Sequence, residues 1–305
     1  MRYFTVLLVF CLTGIEVTNA RADKFVVEEA LDAAFCVRVN VEVTLGSGRS
    51  REKLQTAFSG SSMCVSPQGH LITCKHVADP ERVVGQLIAE NPRRGAAITK
   101  TFIRYTVTNR NGLVFYTDYE PQVKLVSANN SAAFGIEMLK LESRSDFQDS
   151  RRHVRIVGGH ETADLLMLKL EHTNPLPYVE LSDESSAEDR IFAVAARADS
   201  RGKVTAARRL ALFVNNLSIE VNASTVYVLL MTTIHGDSGS GVVTEEGKVI
   251  GMMIANEPPE IGGDTSYMLD LKTIKDLCSQ NCVSGPSQQE DILVAPPPPE
   301  IPDVP

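Results

Sequence analysis

Three short segments hold side chains whose types and settings suit nucleophilic catalysis. The run from His70 to Val77 ends in Cys74-Lys75-His76-Val77 and delivers an imidazole at the exit of an apolar stretch. Ala163-Asp164-Leu165-Leu166-Met167-Leu168-Lys169-Leu170 places a carboxylate at the mouth of another apolar stretch. His235-Gly236-Asp237-Ser238-Gly239-Ser240-Gly241 sets a serine among glycines between two apolar runs. A serine hydroxyl is a poor nucleophile until a base takes its proton. Imidazole is the base whose pKa suits that task near neutrality. A carboxylate beside it fixes the tautomer and stabilises the imidazolium that forms. Glycines leave the backbone free to aim its amides, so the N–H groups of Gly236 and Ser238 are candidate oxyanion donors. Each segment alone is commonplace, since a histidine at a strand end or an aspartate before an apolar strand is more often structural. Together, in the order His, Asp, Ser, they point to acyl transfer with Ser238 as nucleophile, His76 as general base and Asp164 as its orienter. Ser240 is a second candidate nucleophile, and Asp118, Asp146 and Asp149 are alternative carboxylates. Only Ser238 has glycines on both sides in the Gly-Asp-Ser-Gly frame, and only Asp164 opens an apolar strand.

The elements that must position these groups read as short strands. Phe35 to Leu45 alternates around Val37, Val39, Val41 and Val43. Ser61 to Val65 and Leu71 to Cys74 flank a Pro67-Gln68-Gly69 turn, and Tyr105 to Val107 and Leu113 to Tyr116 flank Asn109-Arg110-Asn111-Gly112. Both patterns predict hairpins. Further strands are expected at Phe134–Leu141, Val154–Val157, Leu165–Leu170, Ile191–Ala195, Leu210–Val214, Thr225–Met231, Gly241–Thr244 and Val249–Ile254. A short helix is expected at Leu271–Leu277. Many short strands separated by turn signals predict an all-β sandwich or barrel.

Charge and the two ends narrow the class. A net charge of −8 over 305 residues argues against nucleic acid as a partner, because phosphate binding needs a basic face. Arg2 followed by the apolar run Phe4 to Ile15 and by Ala20-Arg21-Ala22 fits a secretory signal peptide over residues 1–22. The run is shorter than the roughly 20 apolar residues of a spanning helix, so the mature chain is expected to be exported, secreted or periplasmic, with no membrane span. Residues 286–305, with the block Pro296 to Pro299, read as a disordered Pro-rich tail.

At this point the chain resembles a family. Gly60-Ser61-Ser62-Met63-Cys64-Val65-Ser66-Pro67 through His76, the Ala163–Leu170 segment and Gly236-Asp237-Ser238-Gly239-Ser240 are similar to the motifs of trypsin-like serine proteases of the chymotrypsin fold. The likeness is nearer the Deg/HtrA type than the digestive enzymes. Val249-Ile250-Gly251-Met252 resembles the strand after the nucleophile, and Met268 to Leu277 the segment closing the second barrel. The resemblance implies two six-stranded antiparallel β-barrels with a short C-terminal helix and the site in the cleft between them. The protease domain would then occupy residues 23–285, the first barrel about 35–172 and the second about 173–280, with no room for a PDZ domain. It implies peptide-bond hydrolysis through an acyl-enzyme, with polypeptides as substrates. By the family's layout Thr232, Thr233, Met253 and Asn256 line the pocket for the residue before the scissile bond. None is acidic, so a small or medium apolar residue is expected there, while Thr233 and His235 leave room for an acidic preference. A catalytically inactive binding module on the same fold is the alternative.

Three departures stand out. Ser240 replaces the family's usual glycine. Asp237 is the digestive-enzyme residue where Deg/HtrA relatives typically carry Asn; in zymogen-activated relatives this aspartate binds a newly cut N-terminus. Arg155-Ile156-Val157-Gly158-Gly159 looks like an activation sequence, but it lies between His76 and Asp164, where a cut would sever the first barrel, and it reads as a strand and turn. Asp237 therefore needs another partner. The long stretch from His76 to Asp164 predicts extra hairpins or loops between Ala89 and Arg152. With Cys11 lost in the leader, Cys36, Cys64, Cys74, Cys278 and Cys282 remain. Bridges Cys64–Cys74 and Cys278–Cys282 are the candidate pairings, leaving Cys36 as a buried thiol. No His/Cys spacing reads as a metal site, and no cofactor is expected. Asn129, Asn216 and Asn222 open N-x-Ser sequons.

Overall fold

The structure is a computed structural model that describes residues 28–46, 51–91, 97–127, 134–140, 152–184, 190–221, 224–256 and 265–281. The leader, the Pro-rich tail, Asn129, Asn222, Asp146, Asp149 and Cys282 lie outside these residues.

The first half is built on β1 (Ala34–Leu45), β2 (Glu52–Cys64) and β3 (His70–Thr73). The alternating valines of β1 are buried and the residues between them face outward. This period-two pattern locks β1 between β2 and β4 (Ile98–Asn109), since a one-residue slip would expose every valine. β4 and β5 (Val114–Tyr119) form the hairpin around Gly112, whose φ of 79° suits a turn residue without a side chain. β6 (Gln122–Ser127) and β7 (Phe134–Lys140) make a separate two-stranded sheet, and β8 (His153–Gly159) and β9 (Leu166–Glu171) return to the first. The first sheet thus runs β5-β4-β1-β2-β3-β9-β8, seven antiparallel strands rather than the six expected. Its end strands meet where the Tyr116 amide donates to the Arg152 carbonyl at 3.2 Å and the Tyr119 hydroxyl to the Val154 carbonyl at 2.9 Å. The sheet therefore curls into a barrel-like shape. The expected surplus between Ala89 and Arg152 is the source of the extra strand and of the β6–β7 hairpin.

The second half is a closed six-stranded barrel. β10 (Ile191–Ala198), β11 (Val204–Val221), β12 (Ser224–Leu230), β15 (Thr265–Asp270), β14 (Val249–Asn256) and β13 (Gly241–Thr244) follow one another around it. Closure leaves no free edge. The segment resembling an activation sequence lies in β8, paired antiparallel with β9 across a register shift between Ile156 and Gly158.

Residues 28–33 are helical and lead into β1, and three further helices stand among the described residues: α1 (Lys75–Ala78), α2 (Pro80–Glu90) and α3 (Leu271–Asn281). α3 is the predicted closing helix, extended by one turn. α2 was not predicted. Asp79 caps it by accepting from the Glu81 and Arg82 amides, Pro80 occupies its first turn, and Val83, Val84, Leu87 and Ile88 bury one face. One apolar core runs through the first sheet and into the second barrel, where Phe192, Val194, Val243, Val249 and Met252 join it, and a second core around Ile191, Leu229 and Met253 lies within the second barrel. Among the described residues no helix is long and apolar enough to cross a membrane.

Candidate active site

Strand pairing brings His76 and Asp164 together. β3 lies antiparallel to β9, with Thr73 opposite Leu166. The chain leaves β3 through Cys74 into the single turn α1, which carries His76. It enters β9 through Asp164. The two side chains therefore meet at one end of the sheet although they are far apart in sequence. Asp164 Oδ2 lies 2.5 Å from His76 Nδ1, and Oδ1 accepts the His76 backbone amide at 3.0 Å. One carboxylate thus fixes both the ring and the backbone of the histidine. Arg82, reaching over from α2, donates through Nη1 to Oδ1 at 3.0 Å. This third donor becomes apparent only in the fold, because Arg82 and Asp164 are far apart in sequence and meet through the packing of α2.

Ser238 belongs to the other barrel, in the turn between β12 and β13. Gly236 and Gly239 take φ values of 96° and 88°, which β-carbon-bearing residues rarely adopt. The turn is held by its own amides. Asp237 N–H donates to the Ile234 carbonyl at 3.1 Å, and Ser240 N–H to the Asp237 carbonyl at 2.9 Å. Among the described residues the amides of Gly236 and Ser238 donate to no protein group, which leaves both available to an anion. The turn docks on β2. The Ser61 amide donates to the Ser238 carbonyl at 2.8 Å, and the Ser61 hydroxyl lies within bonding distance of the Gly236 and Ala196 carbonyls. The approach requires glycine at position 60, because a Cβ there would lie 2.7 Å from Val77 Cγ2 and 2.8 Å from the Ser238 carbonyl oxygen.

His76, Gly236 and Ser238 are walls of one cavity of about 310 Å³, with Phe58 and Ser59 of β2 and Gln86 and Glu90 of α2. Among the described residues no hydrogen bond joins the Ser238 hydroxyl to His76; contacts of this kind often tighten only when substrate binds. Ser240 is fully buried, and its hydroxyl has no partner. Asp118 is buried in a two-pronged pair with Arg104 at 2.7 Å through each oxygen. Neither stands in the cleft.

The expected substrate-pocket residues are spread more widely. Thr233 Oγ1 lies 3.3 Å from Ser266 Oγ, and the Thr232 carbonyl accepts from Arg209 Nη1 at 3.0 Å. The Met253 side chain is buried in the second barrel's core with Ile191 and Leu229, while its backbone bonds Gly239 N–H and the Ser240 carbonyl. Asn256 ends β14.

Asp237 has the partners that the sequence left open. Arg197 on β10 donates to Oδ1 through Nε at 2.9 Å and through Nη2, and Arg209 on β11 donates to Oδ2 through Nη1 at 2.6 Å. The cysteines depart from expectation. Cys36, Cys64 and Cys74 are free thiols, and the expected Cys278–Cys282 pairing involves Cys282, which lies outside the described residues. Cys64 Sγ donates to the Ser66 carbonyl and Cys74 Sγ to the Met253 carbonyl. The two sulfurs thus turn to different partners, so the expected Cys64–Cys74 bridge is not formed. Burial pushes the Cys64 thiol up to about 12 and raises that of Cys74 well above the usual value. Cys74, His76 and Asp164 bring three possible ligand atoms within 4.8 Å of one another. The protonated, buried Cys74 thiol is a poor metal ligand, and Asp164 is committed to His76 and Arg82.

Comparison with known proteins gives the family and the fold. The profile of a trypsin-like peptidase domain matches residues 60–252. No curated protein matches the chain. Among solved structures, an HtrA-type protease, a serine-to-alanine variant of AlgW with a decapeptide, is similar with a TM-score of 0.51 and 14% identity over 85% of this chain and 66% of that one. A serine endoprotease from Yersinia pestis aligns with a TM-score of 0.46 and 15% identity over 85% of this chain and 65% of that one. The chain thus spans just under two thirds of the length of each.

Proposed function

The chain belongs to the trypsin-like peptidase family, and from that premise we propose that it is a serine endopeptidase working through Ser238, His76 and Asp164. The observation that carries this reading is the carboxylate of Asp164 set 2.5 Å from His76 Nδ1, with His76 and Ser238 facing one cavity. Ser238 Oγ attacks the peptide carbonyl as its proton passes to His76 Nε2. The amides of Gly236 and Ser238 receive the oxyanion. His76 then returns the proton to the leaving amine, and water, activated by the same ring, hydrolyses the acyl-enzyme. Asp164 keeps the Nδ1 proton in place throughout.

The preference before the scissile bond is for a small or medium apolar residue. No acid stands among Thr232, Thr233, Met253 and Asn256, so a Lys or Arg side chain would find no carboxylate partner there. Export through the leader at residues 1–22 completes the assignment.

Fluorophosphonate labelling of the purified mature chain tests the chemistry. Wild type should label stoichiometrically and Ser238→Ala should neither label nor hydrolyse peptides. A Ser238→Ala variant that labels fully sinks the assignment, and a wild type that binds peptides without labelling identifies a binding module. Substrate profiling that returns Arg or Lys before the cut overturns the pocket reading.

A further inference from the structure

Asp237 lies in sequence between Gly236 and Ser238, the residues whose amides the mechanism above assigns to the oxyanion, and this inference rests on that assignment. Its carboxylate is 7% exposed and receives donors on both oxygens. Oδ1 takes Nε and Nη2 of Arg197, and Oδ2 takes Arg209 Nη1 at 2.6 Å and the Ile234 amide at 2.8 Å. Arg209 Nη1 also holds the Thr232 carbonyl at 3.0 Å, so the approach to the turn and its centre are tied to one guanidinium. A Cβ added to Gly236 would meet Cγ and Cδ of Arg197 at 3.7 Å. The stem of Arg197 therefore lies beside the residue that supplies one of the two amides.

Physical chemistry makes these contacts conditional on one another. A buried carboxylate stripped of its cations is strongly destabilised, and the turn would relieve that by swinging Asp237 toward water. Residues 236 and 238 flank Asp237 directly, so such a swing would re-aim both amides. Glycine at 236 and 239 lowers the barrier to that swing, because these positions have no side chain to resist it. The turn's own amide bonds do not neutralise the Asp237 charge, so the cations that keep this side chain inside come from outside the turn. Both cations come from β10 and β11, neighbours in the closed barrel.

We propose that Arg197 and Arg209 are positioning residues that hold the Gly236 and Ser238 amides in their oxyanion-binding arrangement, so that no cation from elsewhere, such as a newly cut N-terminus, is needed to assemble the site. The device is built into the barrel, and the site forms when the barrel closes.

The test uses the mature chain and Arg197→Gln, Arg209→Gln, their double variant, Arg197→Lys, and the same glutamine changes in an Asp237→Asn background. Three quantities are read: kcat, KM and the inhibition constant of a peptide aldehyde, whose hemiacetal oxygen occupies the oxyanion position. Loss of oxyanion alignment should lower kcat by about 10²-fold in the double variant and weaken the aldehyde in parallel, with KM changed less than about threefold. In Asp237→Asn, which has no buried charge to neutralise, the glutamine changes should add less than about threefold, because members of one network are not additive. If the double variant fails to fold, Arg197→Lys decides, since it keeps the charge and loses the fork. A parallel fall in kcat and aldehyde affinity supports the proposal, and an unchanged ratio of aldehyde affinity to KM overturns it. A chain carrying an uncleaved N-terminal fusion should show full kcat, and activity that appears only after cutting refutes the proposal. Failure of wild type to label with fluorophosphonate defeats the Ser238 assignment itself. Normal labelling with fully active, folded arginine variants defeats this inference alone.

Discussion

Replacing Asp164 by Asn tests the least obvious member of the proposed triad, and its expected size follows from the contacts. The carboxylate accepts from His76 Nδ1 at 2.5 Å and from the His76 amide at 3.0 Å. When His76 takes the serine proton it becomes a cation beside this anion. At a charge separation near 4 Å and the effective dielectric of a partly solvated site, that attraction is worth about 4 kcal/mol. Asparagine forfeits it. The amide also turns a donor toward Nδ1 if its oxygen stays on the His76 backbone amide, which drives the ring proton to Nε2, where it blocks proton uptake from Ser238. Restoring the productive tautomer breaks one neutral hydrogen bond, a further ~1 to 1.5 kcal/mol. The sum of roughly 5 to 5.5 kcal/mol corresponds to about 10⁴ in rate. The same change in a well-studied serine protease gives a loss of that order. Arg82 works against the full figure, because it already shares Oδ1 at 3.0 Å, so about 10³ to 10⁴ is expected in kcat, with little change in KM. The assay is steady-state hydrolysis of a peptide ester, with active sites counted by fluorophosphonate so that partial unfolding is not mistaken for slow chemistry. A variant that keeps more than about a tenth of wild-type kcat per titrated site would show that Asp164 does not orient His76.

Two further outcomes follow from the buried groups. Cys36, Cys64 and Cys74 are free and buried, so a thiol reagent should label them only after denaturation; labelling of all three in the native protein would refute their burial. His70 is held down to about 4, first by burial and then by the Lys169 and Arg155 charges. The native state therefore resists a proton that the unfolded chain takes up near pH 6.5. The sign is that this contribution is complete above about pH 6.5 and is lost as pH falls toward 4, where it levels off. The shift amounts to ~3 kcal/mol in full, and solvent screening of a half-exposed ring reduces it to about 1 to 2 kcal/mol. His70→Asn should flatten the stability–pH slope between pH 4 and 6.5 in denaturant titrations, and an unchanged slope refutes the shift.

The legible and illegible parts of the chain differ in how locally they are encoded. The strands of β1 and the β2–β3 hairpin were readable because alternation and turn residues act within a few positions. The second barrel's closing helix was readable for the same reason. α2 also carries a local signal, Asp79-Pro80 followed by Val83, Val84, Leu87 and Ile88, but it lies inside a stretch that otherwise reads as strand and loop, so the cap alone is a weak cue. The seventh strand of the first sheet could not be counted from the sequence, because the insertion's strands divide between two sheets and nothing local says which strand joins which. The partners of Asp237 were beyond reach for a stronger reason. Its residue type demanded a cation, yet Arg197 and Arg209 become neighbours only through the pairing of β10 with β11 and the closure of the barrel.

The join between the two barrels shows why the small residues before the histidine matter as much as the reactive ones. The proposed nucleophile and base sit on different barrels, so their spacing depends on a contact that neither of their own segments contains. That contact is Gly60-Ser61. The Ser61 amide holds the Ser238 carbonyl at 2.8 Å, its hydroxyl reaches the Gly236 carbonyl at 2.9 Å, and its own carbonyl accepts from Thr73 Oγ1 at 2.8 Å. Thr73 ends β3, three residues before His76. A three-residue path of hydrogen bonds, Thr73 to Ser61 to Ser238, thus spans the join. No bulk can be added along it: a Cβ on Gly60 would press on both Val77 and Ser238, and one on Gly239 would stand 2.0 Å from the Ser61 carbonyl oxygen. The chemistry fixes the identities of His76, Asp164 and Ser238, and the closeness of the two barrels fixes those of Gly60 and Gly239. A sequence read for reactive groups alone finds the first set and treats the second as filler.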